Sequence, residues 1–429
     1  MHVRPVLVLA ALSNAAVAVP LLAGSADPLA PYRGPSVRDV DTRTLEGKVM
    51  AGYQGWFNAE GDGAGLGWTH WARDRRQPFG PGNVTVDLWP DLSELGPAER
   101  FATGFTHADG RVAEVFSSYN RDTVLRHFEW MRDYGIDGAF VQRFASELHV
   151  PALAHHRNTV LAHAREGANR TGRAYAVMYD LSGLPAGGVD RVRADWTLLR
   201  ERMRIGEDPA YLHHRGKPLV AVWGIGFGGR RRYTIEECRA LIEFLKADGC
   251  AVMVGVPTGW RELERDAVAD PALHELLQQV DVISPWTVGR YRNPDEARRH
   301  AERYWAPDLA WCREASIDYL PVVFPGFSWH NLKPDSPLDQ IPRRGGAFLW
   351  SQFVAAQAAG AGMIYVAMFD EVDEGTAIFK CTNDPPVGPT RFLTYKGLPS
   401  DHYLWLTGEG ARLLRGERPP QDTMPVRRP

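Results

Sequence analysis

The chain has 429 residues, of which 44% are hydrophobic and 24% are charged, and its formal net charge is −3. This composition is typical of a soluble globular protein with a sizeable core, so it argues against a disordered chain. Because no run of basic residues suggests a phosphate backbone as ligand, we predict no nucleic-acid partner.

The N-terminus has the features of an export signal. His2 and Arg4 precede an apolar stretch between residues 6 and 23, and small residues follow it. A short basic region, an apolar core and a small-residue exit are typical of a secretory signal peptide. We therefore interpret residues 1–26 as a signal and predict a secreted or periplasmic protein, with a retained membrane anchor as the alternative. No later segment is apolar enough to span a bilayer, so we expect no membrane contact beyond export.

Short apolar runs then alternate with amphipathic segments along the chain. Residues 121–134 illustrate the helical spacing, because Val124, Phe128 and Met131 share one face. A series of strands, each joined to the next by a segment that contains a helix, predicts an α/β fold, specifically a (β/α)8 TIM barrel. The predicted strands are residues 48–53, 136–143, 174–179, 218–223, 250–256, 280–283, 319–324 and 363–369.

One long segment does not fit the strand–helix repeat. Residues 58–118 are rich in Gly, Pro, Asp and Trp, and they follow the first predicted strand. We interpret them as a long insertion that folds over the mouth of the barrel and forms part of a cleft wall. With this insertion included, residues 27–410 form one predicted domain, and residues 411–429 form a disordered tail.

Barrels of this kind carry their functional groups on the loops that follow the carboxyl ends of the strands. Most of the predicted strands here end in clusters of polar and aromatic residues. Aromatic faces stack on the C–H-rich faces of sugar rings, and polar side chains hydrogen-bond to sugar hydroxyls, so these loops predict a carbohydrate-binding cleft. The predicted substrate-binding residues are Tyr53, Trp56, Gln142, Arg143, Tyr179, Asp180, Trp286, Trp329 and His330.

The last predicted strand runs directly into an acidic cluster. Asp370, Glu371, Asp373 and Glu374 place four carboxylates within five positions. Like charges this close repel each other, and the repulsion separates their pKa values. Two carboxyl groups with separated pKa values are what general acid/base chemistry on a glycosidic bond requires. We predict Glu371 and Glu374 as the catalytic pair; taken alone, the segment fits a solvated acidic turn or a calcium-binding loop equally well.

Other chemistries fit the sequence less well. A metal-dependent barrel hydrolase usually needs His-x-His at the end of the first strand, and no predicted strand here ends in paired histidines. We therefore predict neither a metal nor a cofactor. A glycine-rich run, residues 224–229, meets three arginines, and we interpret it as a loop after the fourth strand instead of a phosphate cradle. A non-catalytic sugar-binding barrel would keep the aromatic residues, but the intact glutamate pair argues against it.

Several motifs resemble one family of glycoside hydrolases. Residues 369–376 resemble the E-x-x-E-G element of the family 99 barrels, the endo-α-mannosidases. Residues 52–57, 137–140 and 325–329 resemble the corresponding first strand, second strand and seventh-strand loop of the wider family 71/99-like group. The resemblance covers roughly residues 45–382.

The resemblance implies a retaining mechanism without an enzymic nucleophile. In that family the glutamate that matches Glu371 draws the proton from the sugar 2-hydroxyl, which attacks the anomeric carbon and gives a 1,2-anhydro intermediate. The glutamate that matches Glu374 protonates the leaving oxygen and later activates water. The chain departs from the family motif at Asp370, where asparagine is usual, and at Val372 and Asp373, where an aromatic–histidine pair is usual. These departures bear on the mannoside specificity more than on the acid roles.

The sequence therefore predicts a secreted, retaining glycoside hydrolase that acts on an α-linked glycan, with an α-mannoside favoured. Its expected partner is an oligosaccharide or polysaccharide. One alternative is a conventional two-carboxylate glycosidase of the xylosidase, arabinosidase or glucanase type, which would use Asp180 with one of the two glutamates. The other alternative is a non-catalytic carbohydrate-binding barrel.

Overall fold

The structure, a computed structural model that describes residues 27–229 and 231–427, is built around a curled parallel sheet. The predicted signal peptide, residues 1–26, lies outside the described residues. Apolar runs form the strands because their side chains are buried on both faces, between the barrel interior and the surrounding helices. The strands are β1 (Val49–Tyr53), β2 (Phe101–Thr106), β3 (Val112–Val115), β4 (Gly138–Phe144), β5 (Ala174–Asp180), β6 (His213–His214), β7 (Lys217–Trp223), β8 (Ala251–Pro257), β9 (Val282–Trp286), β10 (Asp318–Tyr319), β11 (Val322–Val323) and β12 (Ile364–Val366).

The sheet closes into the predicted TIM barrel. Its strands follow the order β10-β9-β8-β7-β5-β4-β1-β12-β11, and all neighbours in this order are parallel. The two ends of the order, β10 and β11, are one strand that is interrupted at Leu320 and Pro321. Proline lacks the N–H that a ladder needs, so the seventh barrel strand is split where the sequence predicted a continuous one.

Helices surround the barrel, and their ends follow ordinary capping rules. Asn120 caps α1 (Arg121–Asp133), because its side chain accepts hydrogen bonds from the first backbone N–H groups of that helix. Thr234 and Glu237 form the capping box of α4 (Ile235–Ala247). Within the described segments, no helix is both long and apolar enough to cross a membrane. The helices are α1 (Arg121–Asp133), α2 (Pro151–Thr171), α3 (Asp190–Leu198), α4 (Ile235–Ala247), α5 (Ala272–Leu277), α6 (Pro294–His300), α7 (Ala306–Glu314), α8 (Ala347–Ala359) and α9 (His402–Leu414).

Two regions differ from the sequence prediction. The insertion contains a hairpin of β2 and β3, which the sequence pattern did not reveal. At the other end, α9 crosses the boundary predicted at residue 410, and the chain continues along the protein to residue 427. Trp350 Nε1 donates to the carbonyl oxygen of Gln421 at 2.9 Å, and Arg427 forms an ion pair with Asp401. The described part of the predicted tail is therefore folded, since it contacts Trp350 of the helical layer and Asp401 just before the last helix.

Candidate active site

A cavity of about 230 Å³ opens at the carboxyl end of the barrel strands. It collects side chains from the ends of β1, β4, β5, β7, β9 and β12, as expected for the functional face of a TIM barrel. A larger groove of about 710 Å³ lies at the amino end of β5 and β7, where none of the predicted site residues is found. The lining residues of the smaller cavity are Gln54, Trp56, Gln142, Phe144, Asp180, Ser182, Trp223, Trp286, Tyr365, Met368, Glu371 and Glu374.

The acidic turn, residues 370–376, follows the carboxyl end of β12 and is held in place by hydrogen bonds. The Asp370 carboxylate accepts the backbone N–H groups of Gln54 at 2.8 Å and Gly55 at 2.9 Å, which ties the turn to the end of β1. Gly375 has a φ of +63°, and a Cβ there would lie 2.9 Å from backbone atoms of Ser328. The turn can therefore make this close approach only with glycine.

Glu371 lines the cavity and is 4% exposed. Gln54 Nε2 donates to its Oε1 at 2.6 Å, and Thr376 Oγ1 donates to its Oε2 at 2.5 Å. Burial, followed by the charges of Glu374 and Asp373, raises the pKa of Glu371 well above its usual range, while the two hydrogen bonds act in the opposite direction. Each carboxylate oxygen thus has a donor that stabilises the ionised form.

Glu374 lines the same cavity and is more accessible than Glu371. Burial and the charge of Asp373 raise the pKa of Glu374 to about 7, although the nearby charge of Lys333 lowers it. Among the described residues, none donates a hydrogen bond to this carboxyl group. Because the two glutamates interact, they titrate as a pair. The two carboxyl groups thus have unequal environments, because Glu371 has a donor on each oxygen and Glu374 has none among the described residues.

Asp373 connects the acidic turn to the insertion. It is 3% exposed, and its Oδ2 lies 3.0 Å from Nδ1 of His70. The His70 ring stacks on the indole of Trp56, with centroids 3.8 Å apart and an interplanar angle of 4°. Trp56 in turn lines the cavity, so the insertion supports the site through this stack. No residue of 58–118 lines the cavity itself, which differs from the cleft wall predicted for the insertion.

The remaining walls carry polar and aromatic groups. Asp180 Oδ1 accepts the backbone N–H of Ser182 at 2.6 Å, and burial raises the pKa of Asp180. Gln142 Nε2 lies within 3.2 Å of the Tyr365 hydroxyl. Trp286 meets Trp223 edge to face, with centroids 5.6 Å apart. These side chains can hydrogen-bond to sugar hydroxyls and stack on sugar rings. Six predicted residues therefore meet in this cavity, namely Trp56, Gln142, Asp180, Trp286, Glu371 and Glu374.

The strand pleat separates two neighbouring pairs of predicted residues. Successive side chains of a strand point to opposite faces, so only one member of each adjacent pair can face the barrel interior. In β4 this is Gln142, and in β5 it is Asp180. Arg143 and Tyr179 point outward towards the helices, where both are 0% exposed, and this placement corrects their prediction as substrate-binding residues.

Arg143 and Tyr179 instead form a structural network with Asp195 of α3, between the barrel strands and the helices. We call these three residues the outer cluster. Arg143 Nε donates to Asp195 Oδ2 at 2.7 Å, and the Tyr179 hydroxyl donates to the same oxygen at 2.8 Å. Arg143 also donates to Asn158 Oδ1 at 2.9 Å. The guanidinium and the carboxylate therefore neutralise each other within a buried layer.

Three further predicted residues lie outside the cavity. The hydroxyl of Tyr53, which is 0% exposed, lies 2.9 Å from Nδ1 of His127 beneath the site. His330 makes structural contacts. Its backbone N–H donates to Asp87 of the insertion at 2.7 Å, and its ring contacts the carbonyl of Ser336 in its own loop. Trp329 packs near the same loop and does not line the cavity. The structure thus corrects the prediction of Tyr53, Trp329 and His330 as substrate contacts.

Some site residues were not predicted. Gln54 and Phe144 lie at the carboxyl ends of β1 and β4, and this position in the sequence could have identified them as site residues. Thr376 follows the glutamate pair by two positions, and a hydroxyl there could have been weighed as a donor. His70 carries no such signal, because it contacts a residue 303 positions away. In residues 27–229 and 231–427, no group of three or more His, Cys, Asp or Glu side chains is arranged to hold a metal ion.

Comparison with known proteins connects this fold to glycoside hydrolases. No protein-family model matches the sequence, and no curated protein matches it. A solved structure of the GH99 endo-α-mannosidase from Bacteroides thetaiotaomicron matches with a TM-score of 0.63 and 15% identity, over 87% of this chain and 99% of that chain. A structure of such an enzyme from that organism in complex with bis-tris-propane gives 0.62 and 16%, over the same shares.

A third solved structure, described as a glycoside hydrolase-like protein, matches with a TM-score of 0.52 and 13% identity. The match covers 89% of this chain and 98% of that chain. At these identities the likeness shows a shared fold, and it confirms the GH99-like barrel that the sequence motifs implied. The chemistry at the site has to be argued from the residues themselves.

Proposed function

We propose that this protein is an exported glycoside hydrolase that cleaves an α-linked glycan with retention of configuration. One observation carries the proposal: Glu371 and Glu374 line the same cavity, yet only Glu371 is surrounded by hydrogen-bond donors. Two carboxyl groups in unequal environments can divide the roles of base and acid at neutral pH. The shared fold with an endo-α-mannosidase supports this class of reaction.

Glu371 acts as the base in this proposal. Its carboxylate, oriented by Gln54 and Thr376, takes the proton of the sugar 2-hydroxyl. The oxygen then attacks the anomeric carbon while the bond to the leaving oxygen breaks, which gives a 1,2-anhydro sugar. When water later opens this three-membered ring, Glu371 returns the proton to the 2-oxygen. Two inversions at the anomeric carbon give net retention.

Glu374 acts as the acid and then as the base. A pKa of about 7 lets it hold a proton at neutral pH and deliver it to the leaving oxygen. The resulting carboxylate then takes a proton from the water that attacks the anhydro sugar. Its greater exposure to the cavity suits both steps, because the leaving oxygen and the water must each reach it.

An α-mannoside is the substrate that best fits this mechanism. In an α-mannoside the 2-oxygen and the leaving oxygen are trans and both axial, so the 2-oxygen can attack from the side opposite the leaving group. In an α-glucoside the two oxygens are cis, which forbids this attack. The trans geometry, together with the shared fold, supports a mannose residue at the cleaved bond.

A two-carboxylate mechanism without the 2-hydroxyl is the second candidate. Asp180 lines the same cavity as the glutamates, and it could act as nucleophile or base with Glu374 as acid. An enzyme of that kind would cleave a 2-deoxy substrate, because its chemistry does not involve the 2-oxygen.

The decisive experiment compares Glu371→Gln and Glu374→Gln with wild type on α-linked mannans and glucans, with exposed Glu60→Gln as control. We expect both cavity variants to lose about 10²–10⁴-fold in kcat/KM, the usual range for a general acid or base. An α-glycosyl fluoride needs no protonation of its leaving group, so it should restore the rate of Glu374→Gln but not of Glu371→Gln. NMR of the first product should show the α-anomer.

Several outcomes would contradict the proposal. Cleavage of 2-deoxy substrates at the wild-type rate, with activity lost in an Asp180→Asn variant, would favour the two-carboxylate mechanism. Equal activity of all variants would show that the site lies elsewhere. Binding of glycans without any cleavage by wild type would identify a carbohydrate-binding barrel.

A further inference from the structure

A charged group that does not itself line the cavity lies across the barrel from the acidic turn, on the loop after β7. Three strands lie between β12 and β7 in either direction around the barrel. In one direction they are β1, β4 and β5; in the other they are the split seventh strand, β9 and β8. The loop after β7 therefore faces the catalytic pair across the cavity mouth. This loop contains the glycine-rich run and the arginines that the proposed reaction does not use.

Arg231 is one of the arginines of this loop, and it packs against aromatic rings. Its Cζ lies 5.4 Å from the ring centroid of Trp223 and 5.5 Å from that of Phe227, and the two rings pack against each other with centroids 4.7 Å apart. Aromatic faces hold a guanidinium by its planar surface and leave its N–H edge free to donate. Within the described part of the chain, no carboxylate forms an ion pair with Arg231, and none of its donors is hydrogen-bonded.

Hydrogen bonds anchor the described residues on both sides of Arg231 in this loop. The Tyr233 hydroxyl donates to the carbonyl of Gly224 at 2.7 Å, and Val268 donates its N–H to the carbonyl of Gly226 at 2.9 Å. Gly224 and Gly226 have φ angles of +113° and +74°, which only glycine adopts readily. The guanidinium is thus preorganised, so little conformational entropy is lost when a ligand binds it.

Other donors on this side also have no partner among the residues that the structure describes. Trp223 Nε1 and Ser284 Oγ are buried and without a hydrogen bond among the described residues. Strand register places Trp223, Gly255 and Ser284 level on β7, β8 and β9, and a Cβ on Gly255 would lie 2.4 Å from the Trp223 ring. The indole therefore lies across the inner face of the barrel at this level. Buried polar groups without partners are rare and point to a ligand or ordered water.

We propose that Arg231, with Trp223 as its platform, binds an oxyanion carried by the glycan, so that the substrate is an acidic polysaccharide or oligosaccharide. The oxyanion is a uronate carboxylate or a sulfate or phosphate ester on a sugar ring away from the cleaved bond. This placement keeps the negative charge across the cavity from Glu371 and Glu374. The proposal depends on the proposed function only in taking the cavity ligand to be a glycan.

The competing role for Arg231 is that of a counter-charge for Asp180. Burial raises the pKa of Asp180, and the charge of Arg231 lowers it, so the two groups lie within electrostatic range. A counter-charge would influence neutral and acidic glycans equally. An oxyanion site would discriminate between them, and this difference separates the two roles.

The test measures binding by calorimetric titration in the Glu374→Gln protein, which prevents turnover. The probes are mannose- and glucose-based oligosaccharides in matched sets: the neutral sugar, the same sugar oxidised to a carboxylate at C6, and its 6-sulfate. We expect one acidic form to bind about 10- to 100-fold more tightly than the neutral form, as a charge-assisted hydrogen bond would give. Arg231→Gln should remove this preference, and Arg231→Lys should restore only part of it.

Arg232→Gln is the matched control, because its side chain is an exposed neighbour on the same loop. It should keep the acidic preference, and thermal melting should show that all variants are folded. The relative affinity of carboxylate and sulfate forms identifies which oxyanion the site takes.

Equal affinity for neutral and acidic forms, a preference that survives Arg231→Gln, equal weakening of all forms, or absence of any binding would overturn the proposal. Cleavage of neutral glycans without acidic preference would leave the hydrolase function standing. Binding of acidic glycans through Arg231, with no cleavage by wild type, would instead remove only the hydrolase function.

Discussion

Two clusters of buried charge occupy different places in the barrel: the outer cluster lies between β4, β5 and α3, and the acidic turn follows β12. The outer cluster pairs Arg143 with Asp195 and adds the hydroxyl of Tyr179, so each charge meets its opposite at hydrogen-bond distance. The acidic turn instead places several negatively charged carboxylates in and around a cavity, with no positively charged group among them. Both clusters lie at the carboxyl end of the strands, and both looked like candidate binding residues in the sequence.

The difference between the clusters lies in how the charge is compensated. In the outer cluster the desolvation cost of each ion is offset by a partner ion. In the acidic turn, Asp370 is stabilised only by backbone N–H groups and Glu371 only by neutral donors. Burial without a partner ion therefore raises the pKa of Asp370 and of Glu374 to about 7, and that of Glu371 well above its usual range. A neutralised cluster stabilises the fold, whereas an under-compensated one exchanges protons near neutral pH. Only the second arrangement can perform acid/base chemistry.

The largest expected effect comes from breaking the outer cluster. Arg143→Met leaves Asp195 as a buried charge without its cation, which typically costs about 3–5 kcal/mol of unfolding free energy. We expect denaturant titration to show this loss, while kcat/KM of the protein that remains folded stays within about threefold of wild type, since neither residue lines the cavity.

The double variant Arg143→Met/Asp195→Leu serves as its control. Removing both ions gives an uncharged layer but takes away the partners of the buried Tyr179 hydroxyl and of Asn158, so we expect it to recover only part of the lost stability. A single variant that keeps wild-type stability but loses activity would show that the outer cluster belongs to the site after all.

The second effect is a pH dependence of stability that originates in the acidic turn. The folded pKa of Glu374 is about 7 against an ordinary 4.5, so between these pH values the folded state binds more protons than the unfolded state. The stabilising contribution is complete below pH about 4.5 and is lost as the pH rises through about 7. Asp370, raised from 3.8 to about 7, acts in the same direction.

Denaturant titrations across this pH range should therefore show a smaller decline in stability for Glu374→Gln than for wild type. One proton corresponds to a slope of at most about 1.4 kcal/mol per pH unit. Under the proposed mechanism, wild-type kcat/KM should fall above pH about 7, because Glu374 would then lack the proton that it gives to the leaving oxygen. Identical stability profiles for the two proteins would show that Glu374 has an ordinary pKa.

Much of the fold was accessible from the sequence, because each barrel strand is a short apolar run followed by a helical repeat. The exceptions have local physical causes: Pro321 splits the seventh strand, and the β2–β3 hairpin lies in a segment with weak alternation. The acidic turn was also accessible, since clustered carboxylates at a strand end are costly without a function.

The sequence did not predict which of two adjacent polar residues faces the cavity. Gln142 and Arg143, or Tyr179 and Asp180, have similar chemistry for sugar binding, and the pleat lets only one of each pair face the cavity. The decision rests on the outward fit of Arg143 to Asp195, a contact with a distant helix. The His70–Asp373 contact was hidden for the same reason, because nothing local to either residue indicates the other.

The smallest expected effect comes from changing His70, and two substitutions separate its hydrogen bond to Asp373 from its stacking on Trp56. His70→Phe keeps a ring on Trp56 but removes the hydrogen bond to Asp373, whose Oδ1 already has no partner among the described residues. His70→Asn can keep a hydrogen bond but loses the ring. Because Asp373 does not line the cavity, we expect His70→Phe to lower kcat about three- to tenfold with little change in KM, and His70→Asn to lower it less.

The backbone makes the same pair of variants differ in stability in a known direction. His70 has a φ of +62°, a left-handed conformation that asparagine adopts more readily than phenylalanine. His70→Asn should therefore melt at or near the wild-type temperature, and His70→Phe below it. If kcat followed the melting temperature across a wider set of His70 variants, the histidine would be supporting only the insertion. If kcat followed the hydrogen bond instead, His70 would be a positioning residue that acts on Glu374 through Asp373.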